Sequence, residues 1–184
     1  MNYSEKLYEI GADKNPEYPF NDIGISKLFY DLHKEILCYV IEAKAWYQYD
    51  GKRWIKDDDG LKVMEMCKEF VQDYYKYMDA FCPFDEECLK FSKGLINRRK
   101  REGILYDSRS IKPLSLSQFD WNKMLFNCRN GTYNLATMSF QPHNPNDYIT
   151  KISRAKYEAG FTCQRWEQFI NEIMCGDVET ARFL

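Results

Sequence analysis

Three consecutive carboxylates, Asp57, Asp58 and Asp59 ahead of Gly60, are raw material for a calcium or magnesium site. Successive side chains of an extended segment point to opposite faces, however, and the D-x-D-x-D-G spacing of a calcium loop is missing. The run is predicted to be a solvated turn and helix N-cap, where acids also complement the helix dipole. Cysteines at 38, 67, 82, 88, 128, 163 and 175 are odd in number and lack the density of a disulfide scaffold. They are expected to be reduced thiols, mostly in the core. Cys82 and Cys88 have five residues between them, which is not zinc-ligand spacing, and His33 and His143 offer no companion pair, so no metal site is expected. Two histidines also leave little for nucleophilic catalysis. No G-x-x-x-x-G-K-[ST] phosphate loop occurs, so ATP hydrolysis by this segment alone is not expected and no catalytic residue is assigned.

The strongest candidate surface is cationic. Lys90, Lys93, Arg98, Arg99, Lys100, Arg101, Arg109 and Lys112 face only Glu102 and Asp107 in the same stretch, a local excess of +6 in a chain of net charge −2. One reading takes Arg98 to Arg101 as a solvated helix end, where cations favour the negative pole of the dipole. The other takes the cluster as a contact for DNA phosphates, each neutralised phosphate releasing counterions. Tyr106, or Trp46 and Trp54 if exposed, would then supply stacking faces for unpaired bases.

These residues must be carried by elements the pattern forecasts. Residues 1–20 are polar and hold Pro16 and Pro19, which suggests a flexible, loosely attached arm. Asn21 can cap a helix whose Ile25, Leu28, Phe29 and Leu32 follow one-sided helical spacing. Ile36 to Ile41 reads as a strand, and Ala45 to Tyr49 with Arg53 to Lys56 as a hairpin across which Trp46 and Trp54 could pair. Leu61 to Ala80 carries a wide apolar stripe and is the expected central helix. Asp85 to Glu87 starts another helix with Cys88, Leu89, Phe91, Ser92 and Leu95 on its buried side, and Ser108 to Ser117 is expected as a surface loop. Leu125 to Gln141 reads as a strand meander turning at Asn130-Gly131 and near Thr137-Met138; Pro142 and Pro145 make the next segment an extended strap. One more strand is predicted over Ile152 to Tyr157, then a helix from Cys163 to Met174 with Trp166, Phe169, Ile170 and Ile173 on one face. Asp177 to Leu184 looks like a fresh helix start that never finishes. The fold class is α+β: several helices packed on a β-hairpin and a small antiparallel strand meander. The longest apolar runs fall short of a membrane span and no secretory pattern opens the chain, so cytoplasmic residence is expected, without a membrane partner.

The meander and strap also carry a resemblance. Asn127-Cys128-Arg129-Asn130-Gly131-Thr132 with Leu135, then Pro142-His143-Asn144-Pro145-Asn146-Asp147-Tyr148-Ile149-Thr150-Lys151, resembles the signature of the N-terminal-like domain of poxvirus, phage and plasmid primase-helicases. Asn21-Asp22-Ile23-Gly24, Trp46-Tyr47, Asp50 to Trp54, Cys163 to Phe169 and Gly176-Asp177 extend it over roughly residues 21–184, while Phe81 to Phe119 is read on its own sequence. The resemblance implies an accessory domain at 21–160 and a helical connector at 161–184 leading to a superfamily 3 helicase ATPase domain. Signature side chains Asn127, Asn130 and Asp147 are expected to fix turns, and His143 to bond nearby backbone. Trp166 and Phe169 would couple to the ATPase in cis, ATP and magnesium would belong to that domain, and the implied partners are single-stranded or forked DNA and further copies in a hexameric ring. A pure assembly module without DNA contact, and a small independent hydrolase built around carboxylates and His143, are the rival readings.

Overall fold

Alternation at period two builds the first sheet and decides what lies on each side of it. The computed structural model describes residues 3–175, 177 and 179. Strands β1 (Leu37–Val40), β2 (Ala45–Tyr49) and β3 (Trp54–Lys56) form an antiparallel sheet in that order. Leu37, Tyr39 and Trp46 face a helical core, whereas Cys38, Val40, Tyr47, Tyr49 and Trp54 face a second cluster with Leu114, Phe119 and Tyr148. Both faces are therefore covered, which suits the aromatic and β-branched content of these strands.

The helical side is assembled from α1 (Tyr3–Ile10), α2 (Asp22–His33), α3 (Leu61–Phe81), α4 (Glu86–Gly94) and α5 (Arg98–Ser108). Asn21 caps α2 by accepting from the Gly24 amide at 2.9 Å, and Ile25, Leu28, Phe29 and Leu32 are all buried. A Cβ on Gly24 would stand 2.0 Å from the Pro19 carbonyl oxygen, so only glycine allows the incoming chain to cross the helix there. The aspartate run behaves as a cap: the buried Asp57 carboxylate accepts from the amides of Lys62 at 3.1 Å and Val63 at 2.9 Å. Helix α3 then buries Val63, Cys67, Phe70, Val71, Tyr74, Tyr77 and Met78 at the centre of this core.

A second antiparallel sheet holds β4 (Leu125–Cys128), β5 (Gly131–Asn134) and β6 (Ser139–Gln141), followed by the proline strap. The strap docks on the first sheet: Trp54 Nε1 donates to the Pro145 carbonyl at 2.8 Å, the Trp54 amide to the Ile149 carbonyl at 2.8 Å, and the Tyr148 ring stacks on Trp54 at 6.0 Å. Asp120 locks it further by accepting from the Thr150 amide at 2.9 Å. The chain is thus α+β, with α6 (Gln164–Ile173) last. No helix among the described residues is long and apolar enough to cross a membrane.

Several expectations are corrected. The N-terminal stretch is not a loose arm: Tyr3 and Leu7 are 1% and 0% exposed, and Ala12 and Tyr18 join the same core. Its polar composition belongs to the outer face, and two apolar residues one turn apart suffice to anchor α1. Trp46 and Trp54 do not pair, because the register sets Trp46 against Tyr39 and Trp54 against Tyr49, on opposite faces. Residues 108–117 are not wholly a surface loop; Leu114 is buried and its backbone bonds Tyr39 and Ile41. Residues 152–157 form no named strand, although Ser153 donates to the Asn127 carbonyl at 2.8 Å and Arg129 to the Ala155 carbonyl at 2.9 Å. On α6 only Ile170 is buried, leaving Trp166, Phe169 and Ile173 about half exposed. The predicted helix start near the C-terminus falls largely outside the described residues, although the Glu179 amide donates to the Asp177 side chain at 3.1 Å.

Candidate nucleic-acid interface

The cationic stretch is divided by a helix break. Lys90 and Lys93 lie exposed on α4, which ends before Asn97 caps α5 by accepting from the Arg99 amide at 3.0 Å. Arg98, Arg99, Lys100 and Arg101 therefore occupy the first turn of α5, at the positive pole of the helix. The reading of this run as a solvated helix end presumed the negative pole, and the structure reverses it. Four cations here oppose the local dipole. Some are neutralised: Arg98 pairs with Glu102 at 2.8 Å and Lys100 with Asp22 at 2.8 Å, tying α5 to the start of α2. Arg101 is half-buried and donates to the Ile96 carbonyl. Arg99 is exposed and makes no ion pair among the described residues.

Arg109 and Lys112 stand beyond the other end of α5, about 16 Å away at the rise of an 11-residue helix. The Arg109 guanidinium lies over the rings of Tyr39 at 5.1 Å and Tyr106 at 5.6 Å, and Tyr106 is itself 70% exposed. These residues border a shallow depression of about 330 Å³ with Ile41 and Pro113. The eight cations of this stretch are thus spread over α4, the first turn of α5 and the far end of α5. Trp46 and Trp54, 4% and 3% exposed, offer no face to a base.

The signature residues join chain segments to one another. Asn127 Nδ2 donates to the carbonyls of Lys52 at 3.0 Å and Lys151 at 2.9 Å, and buried Thr132 donates to Asn127 Oδ1 at 3.3 Å. Cys128 is buried beside them, and burial pushes its thiol up from the ordinary value. Asn130 clasps the backbone of Tyr157 in both directions, at 3.0 Å and 2.9 Å. Gly131 admits close packing: a Cβ there would meet the Gln141 carbonyl oxygen and the Phe140 ring at 2.5 Å each. Leu135 lies half exposed in the turn after β5, and Lys151 turns outward. Pro145, Tyr148 and Thr150 hold the strap on the first sheet, while partial burial raises the Asp147 carboxyl, against a hydrogen bond from Gln141 at 3.3 Å. His143 departs from expectation, because neither ring nitrogen has a hydrogen-bond partner among the described residues.

A cleft of roughly 380 Å³ opens between Tyr47, Arg53, Lys56, Phe119 and Thr150, without a carboxylate pair beside a histidine. Among the described residues no group of three or more His, Cys, Asp or Glu could hold a metal ion. One feature missing from the expected set is an aromatic row across the second sheet, where the register sets Phe126 opposite Tyr133 and Tyr133 opposite Phe140. The apolar–polar alternation over Phe126-Asn127-Cys128 and Thr132-Tyr133-Asn134 was the signal for it; the third member lies across a turn that sequence alone does not register.

Comparison with known proteins places these features in a lineage. The family described as D5 N terminal like matches residues 26–175. A helicase-named protein of Acanthamoeba polyphaga mimivirus is 24% identical over 157 residues, covering 72% of this chain. That match takes in only 16% of the viral protein's own length.

Proposed function

The chain belongs to the D5 N terminal like family, the N-terminal-like domain of phage and viral primase-helicases, and from that premise we propose that it helps a helicase motor engage DNA during replication. In this role it sits beside a superfamily 3 ATPase domain in cis and supports assembly of a ring, proposed to be hexameric. ATP and magnesium serve the motor, and catalysis belongs there. The observation that supports the DNA contact is Arg99 in the first turn of α5: it is exposed, has no ion pair among the described residues, and stands where the helix dipole disfavours a cation. Lys90 and Lys93, exposed on α4 just ahead of the helix break, are proposed to add to this surface, with Arg109 and Lys112 as a separate outpost. Helix α6 is the proposed coupling element, its Trp166, Phe169 and Ile173 presenting an apolar strip of the kind that packs on a neighbouring domain.

The test is a DNA titration. Lys93→Glu with Arg99→Glu should weaken binding of duplex and forked oligonucleotides and flatten the salt dependence by about 0.9 in log–log slope per lost phosphate contact. Unchanged affinity, together with loss of self-association in surface variants elsewhere, would favour the rival reading as an assembly module without DNA contact. In a longer protein carrying the motor, removal of residues 161–184 should uncouple DNA binding from ATP hydrolysis.

A further inference from the structure

We infer that the outward face of the second sheet is a binding platform for single-stranded nucleic acid, with bases stacking on Phe126 and Phe140 and phosphates met by Arg129 and Arg154. The inference rests on the reading of this chain as part of a DNA-handling motor, and adds a second surface and a strand form to it.

The platform follows from register. Residues directly opposite in antiparallel strands share a face, so Phe126, Tyr133 and Phe140 line up across three strands spaced about 4.8 Å apart. Tyr157 extends the row from the strap: its ring stacks on Phe140 at 4.6 Å and 23°, and meets Tyr133 at 4.9 Å. Two devices keep these rings in place. Gly131 leaves the space that the Phe140 ring occupies, and Asn130 grips the Tyr157 backbone through two hydrogen bonds. The glycine and asparagine of the signature thereby shape an aromatic surface rather than a bare turn. Phe126 and Phe140 remain 47% and 37% exposed, an arrangement that aqueous solvent alone does not favour.

Charge identifies the occupant. Residues 121–157 contain five basic residues and a single acid, Asp147, which is directed to Gln141. Arg129, in the β4–β5 turn, and Arg154, on the strap, are exposed and lack ion pairs among the described residues. Exposed rings on a segment that also carries uncompensated cations fit a ligand with exposed bases on a polyanionic backbone. A duplex buries its base faces in the stack, and a protein interface is depleted of charge at its centre. An unpaired strand meets both requirements.

The experiment uses the whole chain, a fluorescein-labelled oligothymidylate, and a labelled duplex of equal length, read by anisotropy at low and physiological salt. Arg129→Glu with Arg154→Glu touches no core contact and should lower oligothymidylate affinity about tenfold, reducing the log–log salt slope by about 1.4 for two contacts. Phe126→Ala should lower it about five- to hundredfold with the slope unchanged, because stacking releases no counterions. If wild type binds oligothymidylate but these variants bind equally well, the platform is refuted while DNA engagement through α5 stands. If wild type binds neither probe at low salt, both fall. If Phe126→Ala abolishes self-association and leaves oligothymidylate binding intact, the face is a protein interface and the inference is wrong.

Discussion

His33 shows what one buried residue does for this fold. It is 1% exposed, and its Nδ1 lies 2.6 Å from the Phe29 carbonyl, which can only accept, so Nδ1 carries the proton. Nε2 is then the acceptor for the Tyr3 hydroxyl at 2.7 Å, and the pair joins α1 to α2. Burial lowers the imidazole from its ordinary 6.5 to about 4. The folded state therefore holds the neutral ring while the unfolded chain takes up a proton below pH 6.5. Stability from this site is complete above pH 6.5 and is lost as pH falls to about 4, by roughly 3 kcal/mol in total. Urea unfolding of wild type and His33→Gln across that window should show a steeper loss for wild type; parallel curves would remove the assignment.

At the scale of elements, the proposed DNA contact at α5 sets binding against stability. Arg99, in the first turn, is exposed and has no ion pair among the described residues, so Arg99→Glu replaces an unfavourable dipole interaction with a favourable one. The variant should melt at the same temperature or be stabilised by about 0.3–1 kcal/mol, while its DNA affinity falls. A thermal melt and a DNA titration on one sample separate the two. Joint loss of folding and binding would mean that the cation is structural. Helix α6 presents the opposite case: its apolar strip is exposed, and its proposed coupling role depends on a surface from elsewhere in a longer polypeptide.

For the whole molecule, the N-terminal segment is the unexpected keystone of the helical layer. Removing residues 1–20 would uncover the surfaces that Tyr3 and Leu7 bury against α2 and α3, together with the partner of His33. Two large buried side chains at about 1.5–3 kcal/mol each amount to roughly 4 kcal/mol, and a drop of about 10 °C in melting temperature is the expected result by circular dichroism. An unchanged melt would make the segment an ornament of the fold.

The sequence by itself determined most of the elements and the lineage. The spacing of Ile25, Leu28, Phe29 and Leu32 gave α2, the two proline positions gave the strap, and the Asn127 to Lys151 signature pointed to the family, because helical period, turn chemistry and motif are all local properties of a chain. Only the tertiary structure decided which cations stand together, which pole of α5 they occupy, and that Phe126, Tyr133, Phe140 and Tyr157 share one face. Those facts depend on strand register, on where a helix breaks and on which face a neighbour covers, and each is fixed by contacts between residues far apart in the chain.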